Sequence, residues 1–67
     1  MWIKTQDGKR VNLKHIVSIE ILDYKITAVT DTRLYTLGEY PYEKCLSEME
    51  RIDNSIACNR VFHKMSI

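Results

Sequence analysis

Leu34-Tyr35-Thr36-Leu37-Gly38-Glu39-Tyr40-Pro41 is where the apolar period of this chain changes. Upstream, apolar residues recur at every second position, the spacing of a strand with one buried face. Downstream they recur every third or fourth position, the spacing of an amphipathic helix. Pro41 fits a first helical turn, where its missing N–H leaves no hydrogen bond unmade. Tyr42, Cys45, Leu46, Met49, Ile52 and Ile56 then form one apolar stripe. Glu43, Lys44, Ser47, Glu48, Glu50 and Arg51 fall opposite, and Asp53-Asn54-Ser55 begins to fray the end. The spacing predicts a helix over 41–54.

Moving back from the switch, residues 33–37 read as a strand, and Gly38 supplies the freedom to leave the sheet. Ile26-Thr27-Ala28-Val29-Thr30 is rich in β-branched residues and reads as another. Asp23-Tyr24-Lys25 turns the chain into it from residues 16–22, where Val17, Ile19 and Ile21 alternate with Ser18 and Glu20. At the amino end, residues 2–5 and 10–13 flank Gln6-Asp7-Gly8-Lys9, and Asp-Gly is a strong hairpin signal because both residues tolerate positive φ. At the other end, Val61, His63 and Met65 alternate with Phe62 and Lys64, consistent with a short closing strand on a sheet edge; a tail is the alternative.

The expected architecture is α+β: a small antiparallel meander of four or five strands covered by one amphipathic helix, forming a single domain over 1–67. One helix covers only one sheet face. Trp2, Ile16, Leu22, Tyr24 and Tyr35 cannot all lie beneath it, so an apolar second face or a bare edge is expected as a subunit contact. The chain's 67 residues bury only roughly 60% of the surface of the unfolded chain, and so thin a core gains from a partner subunit.

Composition is that of an ordinary globular domain, 45% hydrophobic and 28% charged. No apolar run approaches the ~20 residues of a membrane span, and the amino terminus has no continuous apolar stretch of the secretion-signal kind. The expectation is a cytoplasmic protein without a membrane partner. Net charge is only +1, but residues 1–25 carry five Lys/Arg against three acids, while residues 39–53 are mainly acidic.

No constellation points to catalysis. His15, Cys45, Cys58 and His63 make a Cys₂His₂ set, yet the cysteines lack the close pairing of a zinc knuckle and Cys45 sits on the apolar stripe. Cys45 reads as packed and inert, the two histidines as surface residues, and a disulfide has no support. Glu48 and Glu50 point to different sides of the helix, and the isolated Gly8 and Gly38 form no phosphate-cradling loop. No metal or cofactor is expected. Nucleic acid is not the favoured partner, because the basic count is modest and no interleaved aromatic motif is present. Even so, Trp2, Lys4, Lys9, Arg10, Lys14, Tyr24 and Tyr35 form the candidate binding surface: cations of the first hairpin with aromatic stacking faces.

Met1-Trp2-Ile3-Lys4-Thr5-Gln6-Asp7-Gly8, then Val11-Asn12-Leu13, and Leu37-Gly38-Glu39-Tyr40 before an acidic helix resemble a group of short proteins of Gram-positive bacteria and their phages. Those begin Met-Trp-Ile-Arg-x-Gln and carry Leu-Gly-Glu-Tyr before the helix. The resemblance implies membership without an activity or site residues, and a phage setting would imply a host protein or small signalling ligand as partner. The element order is also similar to that of small flagellar FlbD/SwrD-type proteins, with Asp7-Gly8-Lys9, Ile19-Glu20-Ile21 and Tyr35-Thr36-Leu37 in comparable places. The functional expectation is a non-enzymatic, homo-oligomeric binding module, with nucleic-acid binding through the basic hairpin as an alternative.

Overall fold

The hairpin signal at Asp7-Gly8 is realised in the computed structural model, which describes residues 1–67. Strands β1 (Trp2–Lys4) and β2 (Arg10–Asn12) pair antiparallel. Their turn is wider than the two-residue form expected. Only Gly8 is left-handed, at φ 92°, and Thr5 closes the loop: its N–H donates to the Lys9 carbonyl at 2.7 Å and its carbonyl accepts from Gly8 at 3.0 Å. This is the three-residue connection with a left-handed last residue, so Asp7 needs no positive φ. The Thr5 hydroxyl accepts from the Lys9 N–H at 2.9 Å and donates to the Asp7 carboxylate.

After β2 a 3₁₀ turn, Leu13–His15, is capped by Asn12, whose side chain accepts from Lys14 N–H at 3.0 Å. Strands β3 (Ser18–Leu22), β4 (Lys25–Val29) and β5 (Leu34–Glu39) follow as an antiparallel meander. Asp23 and Tyr24 make the tight β3–β4 hairpin with φ 48° and 62°, the mirror-image turn that matches strand twist. Helix α1 (Tyr42–Ala57) packs on β4, and β6 (Phe62–Lys64) closes the chain. No helix is long and apolar enough to cross a membrane.

The α+β architecture therefore stands, with its strands divided differently. They form two three-stranded sheets, β2-β1-β6 and β3-β4-β5, rather than one meander. The 3₁₀ turn breaks the ladder between β2 and β3, and β1 gives its second edge to β6, in parallel. Gln6 ties the sheets together: its N–H donates to Leu37 O at 2.7 Å, and its side chain accepts from Glu39 N–H at 2.8 Å. Leu37 is the extra residue where the β4–β5 register shifts.

The core lies where both sheets meet the helix and comprises Ile3, Ile26, Ala28, Leu37, Tyr40, Cys45, Ile52 and Met65. Ile19 and Ile21 pack against it as expected; Val17 does not, being 68% exposed ahead of β3. The outer face of the second sheet carries Ser18, Glu20, Thr27 and Thr36 among Leu22, Val29 and Leu34. It is a mixed face, not the apolar one expected.

The helix is longer than expected and turned about its axis. Its end is a Schellman motif: Asn59 is left-handed at φ 53°, Asn59 N–H donates to Ile56 O, and Arg60 N–H donates to Ser55 O. Asn59, not Asn54, is the stop. The buried positions are Cys45, Glu48, Ile52 and Ser55, whereas Tyr42, Leu46 and Ile56 stay exposed. Glu48 and Ser55 take the buried face because the carboxyl-terminal segment supplies each with a polar partner. Gly38 serves space rather than conformational freedom. Its φ is not positive, and a Cβ there would lie 2.5 Å from the Tyr40 ring.

Candidate nucleic-acid interface

Register decides what the first sheet presents. Trp2 lies between Asn12 and Phe62, Ile3 between Val11 and His63, and Lys4 between Arg10 and Lys64. Successive side chains on a strand point to opposite faces. Ile3 and His63 are buried in the core, so the rows on either side of them face outward. One outward row is Asn12–Trp2–Phe62. The other is Arg10–Lys4–Lys64.

Trp2 is 48% and Phe62 43% exposed, although both are large apolar rings. Neighbouring strands run about 4.8 Å apart, so the two residues are direct cross-strand neighbours on that face. The cation row has no ion pair within 4.0 Å: the ion pairs are Lys9–Asp7 at 3.9 Å, Lys44–Glu48 at 3.9 Å and Arg51–Glu48 at 2.9 Å. A groove of about 480 Å³ runs along β2, lined by Arg10, Asn12, His15, Asp31 and Tyr35 among others. A second, of about 450 Å³, runs between β6 and the helix, lined by Phe62, Lys64, Arg60, Arg51 and Asn54 among others.

A buried carboxylate holds β6 in place. Glu48 accepts from Arg51 Nη1 at 3.0 and 2.9 Å, from Ser66 N–H at 2.9 Å and from the Ser66 hydroxyl at 3.0 Å. Burial alone would raise its pKa, but the Ser66 N–H, Arg51 and the Ser66 hydroxyl outweigh that and hold it below the usual carboxylate range. Arg51 Nη2 also donates to Lys64 O at 3.3 Å, covering part of the free β6 edge. The Tyr40 hydroxyl donates to the Ser66 carbonyl. Burial, reinforced by the Glu48 charge, pushes that phenol up to about 12.

Of the expected site residues, the fold brings Trp2, Lys4 and Arg10 together on one face. Tyr35 joins Arg10 only across the β2 groove. Lys9 sits in the hairpin turn beside Asp7, and Lys14 in the 3₁₀ turn. Tyr24 is elsewhere, in the β3–β4 turn beside Glu39, Tyr40 and Pro41. Asn12, Phe62 and Lys64 complete the face and were not among the expected residues. Their signal was parity: Phe62 and Lys64 alternate with His63 and Met65, but which edge they join is not a local property.

His63 was expected at the surface and is buried. Its Nδ1 meets the Ser55 hydroxyl at 2.6 Å, and Nε2 has no partner. Burial, then the charge of Arg51, lowers its pKa and favours the neutral imidazole. Cys45 is buried, with Sγ donating to Tyr40 O at 3.4 Å, and Cys58 is exposed; both are free thiols. No three His, Cys, Asp or Glu side chains converge as a metal site. Comparison with protein-family models, curated proteins and solved structures finds no match to this chain, so the site stands on its own residues.

Proposed function

We propose that this protein is a non-enzymatic binding module whose partner is a polyanion, held on the outer face of the first sheet. The observation that carries the reading is the row Arg10–Lys4–Lys64, three cations on adjacent strands with no carboxylate paired to them. Like charges directly opposite one another across strands disfavour the folded state, and a bound chain of anions removes that penalty. The net charge of +1 hides this row, because the compensating acids lie mostly in residues 39–53.

The same row bears on the homo-oligomer expected from chain size. A polyanion on that row leaves the exposed Tyr42, Leu46 and Ile56 of the helix as the surface we propose for self-association.

Heparin titration tests the polyanion reading. Three contacts on a flexible polyanion give a salt slope near −2, so affinity falls roughly 20-fold between about 50 and 200 mM salt. Lys4→Ala with Lys64→Ala should flatten that slope to about −0.7. Absence of binding at low salt, or a slope unchanged in the double variant, refutes it.

A further inference from the structure

We infer that the polyanion is single-stranded nucleic acid, with two bases stacked on Trp2 and Phe62 and phosphates on Arg10, Lys4 and Lys64. The inference rests on the polyanion reading above and adds what the rings contribute. A cation row alone would serve any polyanion. Two neighbouring aromatic rings left exposed beside it call for a ligand that alternates charge with flat apolar surface, which is the chemistry of an unpaired nucleotide chain.

The dimensions agree. The ring row and the cation row are two residues apart along each strand, about 6.7 Å, within reach of one nucleotide from base to phosphate. An intact duplex hides the base faces that the rings need, whereas a single strand splays them out. Asn12 stands beside Trp2 with a side-chain amide that matches a base edge, although its oxygen also caps the 3₁₀ turn.

The two grooves give the strand a direction across the sheet. The β2 groove includes Asp31, a carboxylate that repels phosphate. The β6 groove is lined by Arg51, Arg60 and Lys64 with no carboxylate among its lining residues, although Arg51 is paired with the buried Glu48. The phosphate path therefore leaves the cation row on the β6 side, toward Arg60.

Trp2 is the single tryptophan of the chain, so its fluorescence reports directly on the site. The full chain is titrated at about 50 mM salt with oligo(dT) and oligo(U) of about ten nucleotides, with a hairpin duplex and with heparin. Binding of the variants is followed by anisotropy of labelled ligand. Either single strand should quench Trp2 and bind more tightly than the duplex; heparin should bind without comparable quenching. Phe62→Ala should weaken single-strand binding by roughly 5- to 150-fold and leave heparin affinity unchanged. Phe62→Leu keeps apolar bulk without a π face, so a loss of single-strand binding with unchanged thermal stability separates stacking from folding.

If heparin binds but neither single strand gains over it and Phe62→Leu changes nothing, the stacking inference falls while the polyanion reading survives. If duplex and single strand bind equally, the inference also falls. If neither heparin nor oligonucleotide binds, both fall together.

Discussion

Replacing Glu48 with Gln should be among the most damaging isosteric changes in this molecule, because the carboxylate is 0% exposed and accepts four hydrogen bonds. The amide keeps the shape and one acceptor oxygen, which can still receive the Ser66 N–H. Its NH₂ presents a donor to Arg51 Nη1 where the carboxylate accepted, and the Ser66 hydroxyl must turn round from donor to acceptor to meet it. Hydrogen bonds to a charged group are worth about 1.5–3 kcal/mol against about 1 for neutral ones. The Arg51 side chain is half exposed, so its share is reduced by solvent screening. The net loss is about 2–3 kcal/mol, set against a total stability of about 3–10 kcal/mol for a chain of this length. Thermal unfolding followed by far-ultraviolet circular dichroism should show Tm lower by about 8–24 °C. A chain ending at Met65 removes the Ser66 partner, and its effect should add to Glu48→Gln less than fully if the two form one unit. A Tm within about 3 °C of the parent, or full additivity with the truncation, would refute the clamp. Because β6 carries Phe62 and Lys64, a loosened clamp should also weaken ligand binding.

Stability should fall at both ends of the pH scale. His63 and Glu48 have folded pKa values below their ordinary 6.5 and 4.5. The unfolded chain then binds more protons, and stability is lost as pH drops, first through His63 below about 6.5 and then through Glu48 below about 4.5. Tyr40 is raised from 10.0 to about 12, so its contribution is complete below pH 10 and lost between 10 and 12. Tm measured across pH should show a plateau from about 7 to 10; an acid limb starting only below 4.5 would show that His63 is not held neutral. Gly38→Ala would set a Cβ 2.5–2.7 Å from the Tyr40 ring, displacing the ring that fastens Ser66. It should cost about 1–3 kcal/mol in urea unfolding, and an unchanged midpoint would show that the ring moves freely.

Part of the candidate face was legible from strand parity. Trp2 and Lys4 are two apart on β1, so a period of two puts them on one side, whereas Arg10 joins them only because the three-residue loop pairs it with Lys4; a two-residue Asp7-Gly8 turn would pair it with Thr5 on the other face. The rest of the face was not, since Phe62 and Lys64 join it through a parallel pairing with a strand some sixty residues away in sequence. Lys9, Lys14, Tyr24 and Tyr35 shared composition with the site but not its geometry. Their turns and groove positions follow from local backbone form, which a charge count does not register.

The helix makes the same division. Its existence, its place after Pro41 and the change from strand to helix period follow from local periodicity, and so were determined by the sequence alone, whereas β5 runs on through Gly38 to Glu39. The face it buries was decided by tertiary structure. Apolar periodicity favoured the stripe containing Tyr42, Leu46 and Ile56, yet Glu48 and Ser55 went inside because Ser66 and His63 arrive from the far end of the chain to satisfy them. A polar side chain's preference for water reverses once a buried partner completes its hydrogen bonds, and that partner is set by how the whole chain closes. The same closure brings β6 to the edge of β1 and sets Phe62 beside Trp2 and Lys64 beside Lys4.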